Sequence, residues 1–402
     1  MAASLVRRTL GFVVAACVLV PGLALATVAV APPAGAAGTY TIVDWGALVS
    51  GGTSFANLGS GLNSTGDGAG LASTNPGDPL SGTATHGVLF KGGVLRDLGA
   101  LSPTDGSLAN GVNAADDVVG ADFDGTHFHA VKWAGGGSIT ELAGGRFGEA
   151  VAVNDSGTIV GGLVDAGNTP RQAVQFNGDG SVTDLGTIPD SADQGQAAAL
   201  GISAAGVIVG AVTDSFNHTV AVTFSGGAAH KLPALPGWLN SVANGVSPAG
   251  GYIVGGASSS TTGVAAEFGP GPAAVSLGML PGDASSIARS VNTSGIVVGS
   301  SSDTTGHDHA AMFSNGQVID LTSLLPANSG WQLEDAWAVN DSGQISGTGL
   351  HNGVTRAFTM SPMVLVPPPF GPLIPILLNI PVIGPVLAAI IRAIAVVLGI
   401  GL

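Results

Sequence analysis

VAVNDSGTIVGG, residues 151–162, decides the fold. Val151 to Val153 alternate like a strand, and Asn154-Asp155-Ser156-Gly157 is turn chemistry. A second β-branched run, Thr158-Ile159-Val160, then closes on two glycines. The short polar side chains cap a tight turn and Gly157 supplies a positive φ, so the stretch predicts strand, turn, strand. The same signature recurs along the chain. An aliphatic residue followed by Asn or Ser stands at Asn63, Asn113, Asn154, Ser203, Ser247, Asn292 and Asn340. Their spacings are 50, 41, 49, 44, 45 and 48 residues. A glycine follows three positions later in every copy but one, where Asp116 replaces it. A second glycine follows at Gly70, Gly120, Gly161, Gly210, Gly299 and Gly347, and the Gly250-Gly251 insertion moves its counterpart to Gly255.

Each copy is followed by a third strand-like segment, from HGVLF at 86–90 to RAFTM at 356–360. Its second residue is always Gly or Ala, and its fifth is Phe, Trp or, once, Met. That alternation places one large side chain against a neighbouring sheet. A fourth segment of the Asp-Leu-Gly type follows six of the seven: 96–99, 140–143, 183–186, 230–233, 275–278 and 319–322. The seventh stands alone at the front, as Tyr40-Thr41-Ile42-Val43-Asp44-Trp45-Gly46. A ring whose last sheet is completed by an N-terminal strand accounts for both ends. The expected fold is therefore all-β, a seven-bladed β-propeller closed by that strand, with an apolar C-terminal tail. Small residues four places before each Asn or Ser (Gly59, Ala109, Ala150, Ala199, Ala243, Ala288, Ala336) are expected where the innermost strands converge on the axis.

These units resemble the HAF repeats of bacterial extracellular repeat proteins. The name-giving strand stands as His129-Ala130-Val131, His309-Ala310-Ala311 and Arg356-Ala357-Phe358. The preceding pattern stands as Ala150, Val153-Asn154, Gly157 and Ile159-Val160-Gly161, and again as Ala288, Val291-Asn292, Gly295 and Val297-Val298-Gly299. The resemblance covers residues 39–360. It implies export and a repeat scaffold, and it carries no catalytic residue with it.

The flanks point to the same compartment. Arg7 and Arg8 precede an apolar run from Leu10, the layout of a secretory signal peptide, here assigned to residues 1–37. The only cysteine, Cys17, lies inside it, which excludes disulfides and thiol chemistry from the mature protein. The propeller is assigned to 38–362 and a Pro-rich spacer to 363–385. Residues 386–402 form an apolar stretch with one charge, Arg392. As a helix it would reach roughly 25 Å, short of a ~30 Å hydrocarbon core. Attachment to a membrane or envelope lipid through this tail is the expectation, and packing on the protein itself the alternative.

Composition narrows the partners. The net charge is −15, and with Arg7, Arg8 and Arg392 set aside only eight basic residues face 26 acidic ones. Nucleic acid is excluded by that balance. No nucleophile elbow, P-loop, zincin motif or dinucleotide fingerprint is present. No metal or cofactor is expected. His127/His129 and His307/His309 read as strand-end hydrogen bonders, and the Asp122–Gly125 and Asn177–Asp184 loops as turns, with calcium the alternative.

The linkers from each fourth strand to the next first strand vary most and should gather on one face. Arg146, Phe147, Trp238, Trp331, Glu334 and Asp335 are the candidate ligand-binding residues there, since tryptophan beside acids can stack a sugar or anchor a protein. The function expected is an exported cell-envelope or extracellular binding or display module, for a glycan or a protein. A polymer-acting hydrolase or lyase and a purely structural envelope protein are the alternatives. Acids and histidines converging on the axis would favour the enzyme.

Overall fold

The computed structural model describes residues 39–363 except 57–60, 77–81, 168–169, 192–195 and 270–272. The signal segment, the spacer beyond Met363, the apolar tail and Gly59 lie outside the described residues. Within them, 28 strands form seven four-stranded antiparallel sheets, each paired in sequence order except the last. We number the blades by their innermost strands: β2 (Ser54–Ala56), β6 (Gly106–Val112), β10 (Gly148–Val153), β14 (Ala197–Ile202), β18 (Asn240–Val246), β22 (Ser285–Val291) and β26 (Trp331–Val339). Each blade packs on the next, and blade 7 on blade 1, which makes the ring.

Closure is as the strand count requires. β1 (Tyr40–Asp44) pairs antiparallel with β28 (Val354–Pro362), from Tyr40 opposite Pro362 to Asp44 opposite Phe358. Beyond the strand, Trp45 donates its backbone N–H to Ala357 O (3.0 Å) and its indole N–H to Thr359 Oγ1 (2.9 Å). Its ring stacks on Phe90 of blade 1 at 5.1 Å, so one residue joins the last blade to the first. Trp45 stands where other blades carry Leu98, Leu142 and Leu185. These leucines are buried and donate their N–H back to the third strand at 3.0, 2.8 and 3.0 Å. Four of the six fourth strands, Val94–Asp97, Ser138–Glu141, Ala228–Lys231 and Gln317–Asp320, run two residues earlier than the Asp-Leu-Gly pattern suggests, while Val275–Gly278 coincides with it. At Asp97, Glu141 and Asp184 the acid ends the ladder and the leucine after it folds into the core. The fifth position of every third strand is buried, from Phe90 to Met360, with Trp133 fully enclosed.

The repeated Asn has a double task. Its Oδ1 accepts turn N–H groups within its own blade, as Asn292 does from Ser294 and Ile296 (both 3.0 Å). Its Nδ2 donates to the carbonyl of the equivalent residue in the next blade. This bond runs from Asn63 to Asn113 (3.1 Å), Asn113 to Asn154 (3.2 Å), Asn154 to Ser203 (3.1 Å), Asn292 to Asn340 (3.2 Å) and Asn340 back to Asn63 (3.0 Å). Ser203 and Ser247 keep the turn bond, to Val207 N and Tyr252 N, but a hydroxyl is too short to repeat the inter-blade bond.

The small residues before the turn do not line the axis. Ala109, Ala150, Ala199, Ala243, Ala288 and Ala336 are completely buried in the cores between blades. The reason is a β-bulge one residue further on in blades 2 to 7, where the register skips Asn110, Val151, Leu200, Asn244, Arg289 and Trp337. A bulged residue is unpaired and re-aimed, and these six turn toward the axis. The second repeat glycine permits the bulge: a Cβ on Gly161 would lie 2.1 Å from Glu149 O, and one on Gly120 2.0 Å from Leu108 O.

Candidate functional site: the axial cavity

Six blades deliver one bulged side chain each to a common chamber of about 110 Å³, joined there by Glu149. Asn244 and Arg289 also line a second chamber of about 240 Å³, walled by the turns that carry the repeated Asn and Ser. These two residues form a shared wall between the spaces, with the larger at the turn face.

The chemistry of the smaller chamber is uneven. Arg289 Nη2 donates to Asp335 Oδ2 at 2.9 Å, and its guanidinium carbon lies 4.2 Å from the centre of the Trp337 ring, a cation–π contact. Glu149 Oε1 accepts from Asn110 Nδ2 at 2.8 Å, which also donates to Ala150 O at 2.9 Å. The channel leaves Glu149 half-buried by surface, yet protein surrounds it. Desolvation therefore pushes its carboxyl above the usual range, and the Asn110 bond only partly opposes this. Asp335 is also raised by burial, with Arg289 pulling it down. Asn244 Nδ2 donates to Ala288 O at 2.9 Å, while Val151 and Leu200 supply apolar wall.

The residues singled out from the linkers are not brought together. Trp331, Glu334 and Asp335 lie in β26, not in a linker. Trp331 is only 6% exposed, stacked on His351 at 4.5 Å and edge-on to Phe358 at 5.7 Å. It offers no open face, because β26 starts earlier than its repeat counterparts and draws the indole into the core. Glu334 is half-buried and raised by desolvation and by Asp308, with His307 opposing. Trp238 packs against the core of blade 5. Phe147 stacks on His127 at 3.9 Å, and exposed Arg146 donates Nε to Ala143 O. Of the six, only Asp335 contacts an axial residue, as the partner of Arg289.

The other polar clusters sit at strand ends. His129 lies between Asp124 (3.3 Å) and Glu141 (3.5 Å). Asp124 Oδ1 caps Thr126 and His127 N–H groups at 2.7 Å, and these bonds hold its carboxyl down at about 2. Asp179 likewise accepts from Ser181. Both loops considered for calcium thus use these acids as turn caps, and no grouping of three or more metal-ligating side chains occurs among the described residues. Glu149, Arg289 and Trp337 were not singled out from sequence. The available signal was variability: the position three before the Asn or Ser changes chemistry from copy to copy while its neighbours repeat.

Fold and cavity together define a seven-bladed β-propeller with an axial chamber of mixed polar and apolar walls. No family model and no curated protein matches the chain. Among solved structures, TolB from Acinetobacter baumannii aligns at 14% identity over 66% of this chain and 62% of that one, with a TM-score of 0.41. A triple arginine-to-alanine mutant of AofleA from Arthrobotrys oligospora aligns at 11% identity over 70% and 89%, with a TM-score of 0.37. Trypanosoma rangeli sialidase in complex with the inhibitor DANA aligns at 11% identity over 77% and 55%, with a TM-score of 0.38. The chain thus spans less than two thirds of the TolB and sialidase chains. At such scores none of these likenesses bears on activity.

Proposed function

We propose that the protein is an exported, envelope-associated or extracellular binding module whose ligand site is the axial cavity. The observation that carries this is the bulge position. In blades 2 to 7 the place four before the Asn or Ser is always Ala and the place just before it always Val or Ile, whereas the place that faces the axis holds Asn, Val, Leu, Asn, Arg and Trp in turn. A ring serving only as scaffold gains nothing from placing Arg289 and Glu149 in a confined channel, where charge is costly.

Binding is favoured over polymer cleavage because no histidine lines either chamber among the described residues, and Asp335 is committed to Arg289. Of the acids lining the chambers, Glu149 accepts from Asn110, Asp155 from Ala114 N–H and Asp341 from Thr293, so each is engaged in a structural hydrogen bond. A thermal-shift and calorimetric screen of glycans, peptides and small metabolites on the full chain tests this, with Trp337→Ala and Glu149→Gln alongside. Ligand-induced stabilisation lost in those variants is expected; release of soluble fragments from a cell-wall polymer would instead establish the enzyme.

The chain ends support attachment on the turn side. Met363 N–H bonds to Thr39 O at 2.7 Å, and Gln344 Nε2 reaches Ser361 Oγ at 3.3 Å. Thr39 and Met363 therefore lie together on the face of the Asn340 turn, the same face that carries the larger chamber. Fractionation of cells expressing the full chain or one ending at Pro362 tests the anchor: equal recovery in the soluble extracellular fraction rejects it.

A further inference from the structure

One charge in the smaller axial chamber is left without a counterpart. Arg289 and Asp335 form an ion pair at 2.9 Å, and the guanidinium lies over the Trp337 ring, so that wall is neutral as it stands. Glu149 has no such partner. Its Oε1 accepts from the neutral amide of Asn110, and among the described residues no cation pairs with it. Its Oε2 accepts no hydrogen bond and is not sealed in protein, so it opens on the chamber. Asn244 stands in the same condition: its Nδ2 donates to Ala288 O, and its Oδ1 accepts from no donor. Leu200, on the blade between those of Glu149 and Asn244, and Val151 complete this side of the chamber with hydrocarbon.

We propose that the smaller chamber binds a small primary ammonium ion, with its N–H groups on Glu149 Oε2 and Asn244 Oδ1 and its carbon chain on Val151 and Leu200. The inference rests on reading the ring as a binding module with an axial site, and it names the class of ligand. Charge selects that class. With Arg289 neutralised by Asp335, an ionised Glu149 leaves the chamber negative; a monocation cancels this and an anion adds to it. The net charge of −15 draws cations toward the protein in the same sense. A neutral ligand would leave the carboxylate confined and unpaired. A bare metal ion is poorly served, because calcium takes about six to eight oxygens and the free acceptors here are Glu149 Oε2 and Asn244 Oδ1, beside hydrocarbon. A primary ammonium aims separate N–H groups at separate acceptors, forms a charge-assisted bond to the carboxylate, and keeps an apolar end for Val151 and Leu200. Size sets the limit: at about 30 Å³ for a water, the 110 Å³ chamber holds roughly four non-hydrogen atoms.

Isothermal titration of the full-length protein with methyl-, ethyl- and propylammonium chloride tests the assignment. The alcohols of matching size, sodium acetate, potassium chloride and tetramethylammonium chloride are the comparison probes. Saturable binding of at least one primary ammonium is expected, at least tenfold tighter than its alcohol and than potassium. Glu149→Gln keeps the size and the acceptor for Asn110; it should weaken that binding at least tenfold without loss of thermal stability. Leu200→Phe, which fills the chamber and leaves every charge in place, should abolish it. Ammonium binding that survives Glu149→Gln overturns the assignment. A comparison probe that binds as tightly as the best primary ammonium, and is lost in Leu200→Phe, overturns the ammonium and leaves the axial binding module standing. If no probe binds, the assignment falls; if in addition no ligand found by the wider screen is lost in Leu200→Phe, the axial site falls with it.

Discussion

Asn154 and Ser203 occupy the same place in consecutive repeats, and the difference between them is one amide. Asn154 closes its own turn through Thr158 N–H and ties blade 3 to blade 4 through Ser203 O, whereas Ser203 closes its turn alone. Asn154→Asp should keep the turn and lose the donor, placing a carboxylate against a carbonyl, at a cost of about 1–3 kcal/mol. Ser203→Asn should extend the ring of bonds and stabilise by roughly 0.5–1.5 kcal/mol. Urea denaturation of the two variants checks this pair; equal midpoints would remove the inter-blade role. At the same scale, Gly161→Ala would press a methyl into Glu149 O and disturb the bulge that aims Val151. A loss above about 2 kcal/mol is expected, read from the same titration.

Among the elements, β1 matters most for its length. Five residues finish the seventh sheet, and Tyr40 and Trp45 are buried at 2% and 3% exposure. Deleting residues 38–50 bares the β28 edge and should lower stability and promote association through the open strand. Trp45→Ala keeps the strand and removes the indole from between blades 7 and 1, at about 3–5 kcal/mol. Melting with size-exclusion chromatography separates the two outcomes: aggregation for the deletion, simple destabilisation for the substitution. The inner strands carry a different lesson. The alternation of Ala150-Val151-Ala152-Val153 is ordinary strand patterning, and nothing in it announces that the ladder skips Val151. The bulge arises because Gly161 lets the carbonyl of Glu149 approach, a contact between two strands that local sequence does not express.

For the molecule as a whole, the acids give a pH prediction. Asp122 is almost fully enclosed, and desolvation, reinforced by the nearby Asp105 carboxylate, lifts its pKa to about 6 against a backbone bond from Leu101. Glu149, Glu267, Glu334 and Asp335 are raised by burial in the same sense, and His86 is raised chiefly by its bond to Asp97. For a group raised by folding, stability is gained as pH falls through the folded pKa and is complete below the unfolded one. The melting temperature should therefore rise between pH 7.5 and about 5, opposite to the usual loss for paired carboxylates. Asp124 and Asp303, held near 2, withdraw their contribution only at lower pH. Asp122→Asn should raise the melting temperature at pH 7.5 and flatten the rise. A profile falling monotonically from pH 7.5 to 5 would show that repulsion and burial at Asp122 are not felt.

The number of blades, their strand order and the closure by the N-terminal strand beginning at Tyr40 were determined by sequence alone, because repetition makes each copy a witness to the others and an unmatched fourth strand has one vacant place to fill. The burial of the fifth position in each third strand followed from alternation in the same way. The site was decided by tertiary structure. Trp331 and Glu334 look like linker residues in the letters, yet an early start to β26 takes the indole into the core. Glu149, Arg289 and Trp337 lie roughly 50 to 190 residues apart and meet only where the blades converge, at positions aimed by bulges. Periodicity reports what every repeat must share; a binding site is built from what each repeat is free to change, and only closing the ring sets those differences side by side.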